Sequence, residues 1–458
     1  MKCVVVFLLL SIINNVNTLA YDNNDFYLQA IASNDRYQNY DVPWGRPKCL
    51  YCGDLAGSGP EQKANLYPDM TSTYFVANIK LELGWTLIIN GEYPFARYFS
   101  FTVANQLNDG QLGQGSFLRG DQINPDKGSV NPYLPNVNRY SPNRNYTIYL
   151  VQGYPNPEGT ISNNTLYTPT ERTHLSLRVY LPDLSYDGTG HRKYGLPVIN
   201  LLLPTGQIVT GPKLVRMLDA RKLGDPNGYQ LDEWLSNIKA SKDPLNAPVS
   251  EIPKAELFLN TPYSVSGLFI TNPEEKLYRY PANSTGGFAN NPDTKYLIIP
   301  YSFGYGEVLV IQGVKPTHQY TRHNNQYIYN DTQVQYFSVS TGAGPCSGAG
   351  WDTEYDENIP DYYTIVVSWP WNRPANAIKD NNVTWLTPGS GEGHYVTGRT
   401  WIGMVYIRYQ NPNPSWEQSP AYIPIPTYRD PFLHTEEVMG IYYPRSKYMS
   451  KSDFENNY

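Results

Sequence analysis

The chain has 458 residues, of which 17% are charged, 14% are aromatic and 41 are tyrosine. This length predicts two or more domains, and the aromatic content excludes intrinsic disorder, because disordered chains lack the apolar surface that offsets the entropy of ordering. The net charge of -6 excludes nucleic acid as a partner, since phosphate contacts require a positive surface.

The first 20 residues have the three-part pattern of a secretory signal peptide. Lys2 supplies the positive charge, residues 3–13 form an apolar run, and Ala20 is a small residue suited to cleavage. This run is shorter than the about 20 residues that a helix needs to cross a membrane. We therefore predict a secreted, extracellular protein without a transmembrane anchor.

Loss of the signal peptide leaves Cys49, Cys52 and Cys346 as disulfide candidates. In an oxidising compartment, we expect one disulfide and one free thiol, with all three pairings open. The spacing of Cys49 and Cys52 also occurs in redox motifs, but the turn residues around them favour a structural role. Five sequons are candidates for glycosylation in a host that glycosylates, and they begin at Asn145, Asn163, Asn283, Asn330 and Asn382.

Short alternating or β-branched runs, separated by glycine, proline and asparagine, predict antiparallel strands. In the first part of the chain they occupy residues 74–79, 86–89, 98–103, 146–151 and 175–180. A second series follows in the same order, with Tyr-Phe-Ser at residue 98 returning at residue 336, which indicates an internal duplication. We predict a mainly β fold of two tandem antiparallel sandwich, jelly-roll-like modules with a short helical connector.

The predicted organisation has six parts. They are a signal peptide at 1–20, an N-terminal segment with the CxxC motif at 21–65, a first β-sandwich module at 66–206, a partly helical connector at 207–275, a second β-sandwich module at 276–428 and a polar C-terminal tail at 429–458. Within the connector, apolar residues at helical spacing predict an amphipathic helix over 229–241, and residues 213–222 form a second helical candidate.

Several motifs resemble those of uncharacterised secreted proteins. They are YPFARYFSF at 93–101, the ING before it, DQINPDKGSVNPY at 121–133 and RNYTIYL at 144–150. The end of each copy, with its LRVY-type strand, resembles the domain of unknown function 1214. The resemblance covers 49–203 and, more loosely, 291–426; it implies a jelly-roll-like sandwich and no particular activity. The second copy lacks ARYFSF and INPDKGS.

Two long loops carry the binding candidates. Residues 105–140 include Asp121 and Asp126, and a loop of this length is either functional or disordered. Residues 341–362 include Asp352, Glu354 and Asp356, whose oxygens suit calcium, although a solvated acidic loop is the favoured interpretation. No other cofactor and no further metal site is predicted.

Arg97, within ARYFSF, is the remaining binding candidate. It either pairs with a carboxylate at the sheet margin, which we favour, or clamps an anionic ligand.

No catalytic residue is predicted. Residues 344–348 (GPCSG) have the spacing of a nucleophile elbow but lack the strand and helix that such an elbow requires. We predict a non-catalytic secreted or envelope-associated protein that binds a carbohydrate or a protein partner; its oligomeric state is open. The alternative is a secreted hydrolase with a site assembled from loops of the β-modules. Two carboxylates and Arg97 in one pocket between the copies would favour this alternative.

Overall fold

The structure is a computed structural model. It describes residues 72–106, 112–154, 164–183, 186, 190–191, 195–218, 251–264, 272–282, 291–321, 328, 331–343, 346–352, 361–388 and 402–458. These residues form a mainly β architecture of four sheets with few, short helices, as the sequence predicted at this level. The predicted signal peptide, the N-terminal CxxC segment and the predicted helix at 229–241 lie outside the described residues.

The strands follow one another along both parts of the chain. In order they are β1 Ser72–Lys80, β2 Thr86–Glu92, β3 Ala96–Gln106, β4 Leu112–Arg119, β5 Asn145–Gln152, β6 Thr165–Thr168, β7 Arg172–Pro182, β8 Val198–Leu202, β9 Ile208–Val209, β10 Glu256–Leu257, β11 Thr294–Ser302, β12 Val308–Val314, β13 Tyr336–Ala343, β14 Cys346–Asp352, β15 Tyr362–Val367, β16 Val383–Leu386, β17 Ile402–Gln410 and β18 Arg445–Met449. The five strands predicted in the first part of the chain all lie within observed strands.

The helices of the described residues are all short. They are α1 Gly211–Met217, α2 Thr261–Ser264, α3 Pro273–Arg279, α4 Thr435–Met439 and α5 Lys451–Asn457. Helix α1 overlaps the helical candidate at 213–222. Among the described residues, no helix is long and apolar enough to cross a membrane.

The four sheets have related strand orders. Sheet 1 is β1-β7-β3-β4, sheet 2 is β6-β5-β2-β8-β9, sheet 3 is β10-β11-β17-β13-β14, and sheet 4 is β16-β15-β12-β18. The order of sheet 1 returns in the last four strands of sheet 3, and the first four strands of sheet 2 match sheet 4. Even the parallel pair β5–β6 has a parallel counterpart, β15–β16. We call residues 72–218 the first half and residues 251–458 the second half.

Alternation along the strands determines which residues form the cores. On β2, Leu87 and Ile89 point inward and are buried, whereas Asn90 is exposed. Sheets 1 and 2 contribute to one buried cluster, and sheets 3 and 4 contribute to another. Each fully buried leucine, isoleucine or phenylalanine stabilises the fold by about 1.5–3 kcal/mol relative to exposure.

The faces of sheets 1 and 3 that point away from these cores are polar and yet buried. Their buried polar residues include Ser100, Thr102, Ser176 and Arg178 on sheet 1, and Ser338, Ser340, Arg408 and Gln410 on sheet 3. The two arginines have matched partners, because Arg178 donates to the hydroxyl of Thr102 and Arg408 donates to that of Ser340. Contacts between the halves occur on this side, where the rings of Tyr180 and Tyr336 lie 5.4 Å apart.

Both predicted loops contain a strand. Strand β4 lies within residues 105–140 and pairs with β3, and β14 lies within residues 341–362 and pairs with β13. Both strands are rich in glycine, which weakens the usual strand signal. The remainder of the first loop is held by hydrogen bonds, in which the Asn131 amide donates to the carbonyls of Gly120 and Ile123.

Residues predicted as a polar C-terminal tail contribute to the second half. Strand β18 pairs with β12 at the edge of sheet 4. The side chain of Phe454, on α5, is fully buried against Val308, Val310 and Val366. Helix α5 therefore closes the outer face of sheet 4.

Candidate functional site

A cleft of about 750 Å³ opens beside the ends of β2 and β5 in the first half. Strand β2 contributes Asn90, Gly91 and Glu92, and β5 contributes Asn145 and Tyr146. These strands are antiparallel neighbours, and Glu92 pairs with Asn145 in their register. Pockets for small ligands typically have volumes of about 300–1,000 Å³, so this cleft is large enough for one.

One wall of the cleft is aromatic. Phe95 stacks on Tyr186 with the ring centroids 4.3 Å apart, and it also packs against Tyr140 at 5.7 Å. The Tyr140 hydroxyl donates to Asp183, and burial, followed by the negative charge of Asp183, raises the pKa of Tyr140 to about 12. Tyr140 therefore stays neutral over the physiological pH range.

Arg144 packs against the aromatic wall, and its guanidinium group is hydrogen-bonded within the protein. Its guanidinium lies 3.6 Å from the centre of the Phe95 ring and donates to the carbonyls of Tyr93, Pro94 and Arg139. Burial lowers the pKa of Arg144 to about 10, which leaves it charged at neutral pH. Such cation–π stacking contributes about 0.5–2 kcal/mol.

Another wall of the cleft is polar. The Thr147 hydroxyl donates to Asp126 at 3.2 Å, and the Asn90 amide donates to the Thr147 hydroxyl at 3.0 Å. Asp126 and Glu92 are the acidic residues that line the cleft, and no lysine or arginine is among the described residues that line it. The wall therefore offers carboxylate and amide groups to a ligand.

His191 and Gly195 form a third part of the lining. A ring nitrogen of His191 lies 3.2 Å from the backbone carbonyl oxygen of Glu92. A Cβ at Gly195 would lie 1.9 Å from Cγ of the His191 ring, so the histidine can occupy this position only beside a glycine.

The lining also includes a glycine that faces a buried tyrosine. A Cβ at Gly91 would lie 2.5 Å from the Tyr146 hydroxyl oxygen, and burial raises the pKa of Tyr146 well above its ordinary value. Gly313 faces Tyr363 with the same 2.5 Å separation in the second half. The two glycine–tyrosine pairs occupy equivalent register positions on β2–β5 and β12–β15.

The structure separates the binding candidates of the first half. Asp126 lines the cleft. Asp121 instead accepts two hydrogen bonds from Arg119, at 2.9 and 3.0 Å. Arg97 is fully buried between the halves, where its Nε donates to the Thr321 hydroxyl at 3.4 Å and its guanidinium lies 5.8 Å from the Tyr336 ring centre. Arg97 is therefore placed in the interior, between the halves.

The remaining candidates are distributed as follows. Cys346 and Asp352 begin and end β14, whereas Glu354, Asp356, Cys49 and Cys52 lie outside the described residues. Asn145 and Asn382 are exposed, and Asn163, Asn283 and Asn330 lie outside the described residues. Within the described part of the chain, no group of three or more histidine, cysteine, aspartate or glutamate residues is arranged to hold a metal ion.

A second polar cluster joins the halves. The Tyr98 hydroxyl donates to Asp293 at 2.7 Å and accepts a hydrogen bond from the Asn291 amide at 3.0 Å. Arg119 lies 4.0 Å from the same carboxylate and links it to Asp121. Burial is the largest influence on Asp293 and raises its pKa, against the opposing effect of the Tyr98 hydrogen bond and the positive charge of Arg119.

Sequence reasoning missed Glu92, His191 and the aromatic wall. Glu92 could have been found from the two-residue period of β2. Leu87 and Ile89 point inward, which places Asn90 and Glu92 on the other face of the strand. Phe95, Tyr140 and Tyr186 come from separate connections, and no spacing in the sequence indicates that they stack.

Comparisons with known proteins leave the identity of the fold family open. No protein-family model and no curated protein matches the sequence, so the resemblance to the domain of unknown function 1214 stays a prediction. An uncharacterised protein from Burkholderia cenocepacia is 12% identical, covers 84% of this chain and 78% of its own, and has a TM-score of 0.44. A Vibrio parahaemolyticus protein is 10% identical over 84% of this chain and 90% of its own, with a TM-score of 0.35. At these TM-scores, neither similarity supports a conclusion about function.

Proposed function

We propose that the chain consists of two β-sandwich modules of common origin. The matching strand orders, the two parallel strand pairs and the two glycine–tyrosine pairs support this proposal. An experimental structure in which the strands of the two halves cannot be superposed would overturn it.

We further propose that the protein is secreted, on the basis of the pattern in residues 1–20. Expression in a secreting eukaryotic host is expected to yield a product in the medium whose N-terminus is at or near Tyr21. Edman sequencing or intact-mass measurement tests this expectation. A cytosolic product that keeps Met1 would contradict it, and would also remove the basis for expecting a disulfide.

We propose that the cleft binds a carbohydrate without cleaving it. The observation that carries the proposal is the pairing of an aromatic wall with a wall of amide and carboxylate groups in one cleft. Aromatic rings pack against the apolar C–H surface of a sugar, while carboxylates and amides bind its hydroxyl groups. A cleft with acidic residues and no lining lysine or arginine among the described residues favours neutral over anionic sugars.

Two variants of the cleft test this function. The protein is produced in a host that does not glycosylate, so that Asn145, at the cleft, carries no glycan, and it is screened on a glycan array. We expect Tyr186→Ala and Asp126→Asn each to weaken binding of the captured glycans at least about tenfold, which corresponds to 1.4 kcal/mol. Titration calorimetry supplies the affinities.

A matched control is Tyr278→Ala, because Tyr278 is 77% exposed on α3 and lies outside the cleft. Its affinity is expected to equal that of the wild type. If the array captures no glycan, or if neither cleft variant weakens binding, the cleft is not a carbohydrate site.

A hydrolase is the second candidate, because two carboxylates, those of Glu92 and Asp126, line the same cleft. Paired carboxylates across a sugar are the catalytic groups of most glycosidases. The condition set for an enzyme was a pocket between the copies that holds Arg97 and two carboxylates; Arg97 lies between the halves, whereas Glu92 and Asp126 line the cleft of the first half. Release of reducing sugar by the wild type that is lost in both Glu92→Gln and Asp126→Asn would replace the non-catalytic proposal by the enzymatic one.

A further inference from the structure

A line of polar side chains continues from the cleft across the outer face of sheet 2. The Asn200 amide donates to the Asn90 side-chain carbonyl at 3.4 Å, and Asn90 in turn contacts Thr147, which contacts Asp126. Thr147, Asn90 and Asn200 lie on β5, β2 and β8, which are adjacent strands about 4.8 Å apart. Asp126 and Asn90 line the cleft, whereas Asn200 lies beyond it.

An aromatic side chain lies beside this polar line. Tyr149 is on the same face of β5 as Thr147, because Ile148 and Leu150 point into the core. In the strand register, Tyr149 is opposite Ile88, and Ile88 is opposite Asn200. Tyr149 is 39% exposed, so its ring is available to a ligand.

The corresponding face of sheet 4 is covered by another part of the chain. Gln312 and Thr364 form the same amide–hydroxyl pair as Asn90 and Thr147, at 3.1 Å, but the Tyr458 hydroxyl donates to the Gln312 side chain. The positions that match Ile88 and Tyr149 in register are Val310 and Val366, which are buried beneath Phe454. Sheet 4 is therefore closed by an apolar contact from the chain itself.

Sheet 2 differs from sheet 4 at the position of Val366, where it has the exposed Tyr149. In sheet 4, the helix α5 packs on the aliphatic residues Val310 and Val366. At the positions of Val310 and Val366, sheet 2 has Ile88 and the exposed Tyr149. Beside Tyr149, the side chains of Asn90 and Asn200 continue the polar groups of the cleft. An aromatic ring next to amides suits a ligand that is polar along its edges and apolar on its ring faces.

We propose that the ligand is a neutral oligosaccharide chain that leaves the cleft and crosses the outer face of sheet 2 along Asn90 and Asn200, with a sugar ring packed on Tyr149. This inference rests on the proposed carbohydrate function of the cleft. It adds that recognition extends over several sugars, and that a site of this kind is absent from the described face of sheet 4.

The test is a length series measured by titration calorimetry. The probes are β-1,4-linked oligomers of glucose and of N-acetylglucosamine, from the disaccharide to the hexasaccharide. We expect the hexasaccharide of the recognised series to bind at least about tenfold more tightly than its disaccharide, since added contacts of 1.4 kcal/mol give this factor. Tyr149→Ala and Asn200→Ala are each expected to remove most of this gain and to leave the disaccharide affinity unchanged.

The matched control is Tyr362→Ala, since Tyr362 is an exposed tyrosine on β15, the counterpart of β5 in sheet 4. It is expected to behave as the wild type, and circular dichroism verifies that all variants are folded. Disaccharide binding that depends on Asp126 but does not increase with chain length would overturn this inference and leave the cleft function intact. Loss of binding to all probes and to the glycan array would overturn both.

The oligomeric state provides an independent check. A wild type that is dimeric in light scattering and a Tyr149→Ala variant that is monomeric would assign the face to a second copy of the chain and would overturn the proposal.

Discussion

Replacement of Gly91 by alanine is expected to lower the free energy of unfolding by about 1–3 kcal/mol, the usual cost of overpacking a core. The new methyl group would lie 2.5 Å from the Tyr146 hydroxyl oxygen and 2.6 Å from its ring. Tyr146 cannot easily move, because it packs against Tyr93, with centroids 5.1 Å apart, and against two phenylalanines. Urea denaturation followed by fluorescence measures the loss.

Gly313→Ala is expected to have a similar effect in the second half, where Tyr363 takes the place of Tyr146. The control is Asn145→Ala, an exposed position on the neighbouring strand, which is expected to change stability by no more than about 0.5 kcal/mol. Equal stability of Gly91→Ala and the control would show that the close approach of Gly91 and Tyr146 does not exist.

The pH dependence of unfolding is expected to weaken when Asp293 is replaced by asparagine. Burial raises the pKa of Asp293, so the folded protein holds this proton more tightly than the unfolded chain does. Its contribution to stability is therefore complete below the unfolded pKa of about 3.9, falls as the pH rises to the folded pKa, and is constant above it. Asparagine at this position does not ionise, so the Asp293→Asn variant lacks this decrease in stability with rising pH.

The difference in urea midpoint between wild type and Asp293→Asn, measured from pH 3.5 to pH 8, isolates the contribution of Asp293. We expect the variant to gain relative stability as the pH rises, and Asp380→Asn, at an exposed position, to show no such trend. A difference in urea midpoint between wild type and Asp293→Asn that is independent of pH would contradict the raised pKa of Asp293.

Replacement of Tyr98 by phenylalanine is expected to lower the free energy of unfolding at neutral pH by about 1–3 kcal/mol, because the buried Asp293 side chain loses a hydrogen-bond donor.

The strands of the first half were predictable because their signal is local. On β2 the signal is the apolar run Leu87-Ile88-Ile89, and on β3 Phe99, Phe101 and Val103 alternate with serine and threonine. The strand β4 was missed because its sequence, LGQGSFLR, has two glycines where β-branched residues are usual. Local patterns thus indicate strands but not the order in which strands pair.

The cleft was predictable only in part. Asp126 was a candidate because it lies in a long loop between strands, and the structure places it in the lining. The stacking of Phe95 on Tyr186 joins residues far apart in the chain, and it depends on the path of two connections. Arg97 could not be placed from the sequence, since its surroundings, Thr321 and Tyr336, belong to the second half.

The polar faces that are buried near the junction of the halves bear on how a tandem protein of this kind can evolve. On sheet 1 this surface presents serine, threonine and arginine instead of aliphatic residues. On the common origin that we propose for the two halves, a single ancestral module with such a surface is expected to have been soluble by itself, because exposure of these groups to water has little cost. Gene duplication then needs no aggregation-prone intermediate, and the close fit of the two copies can develop gradually, through pairs such as Tyr98 and Asp293.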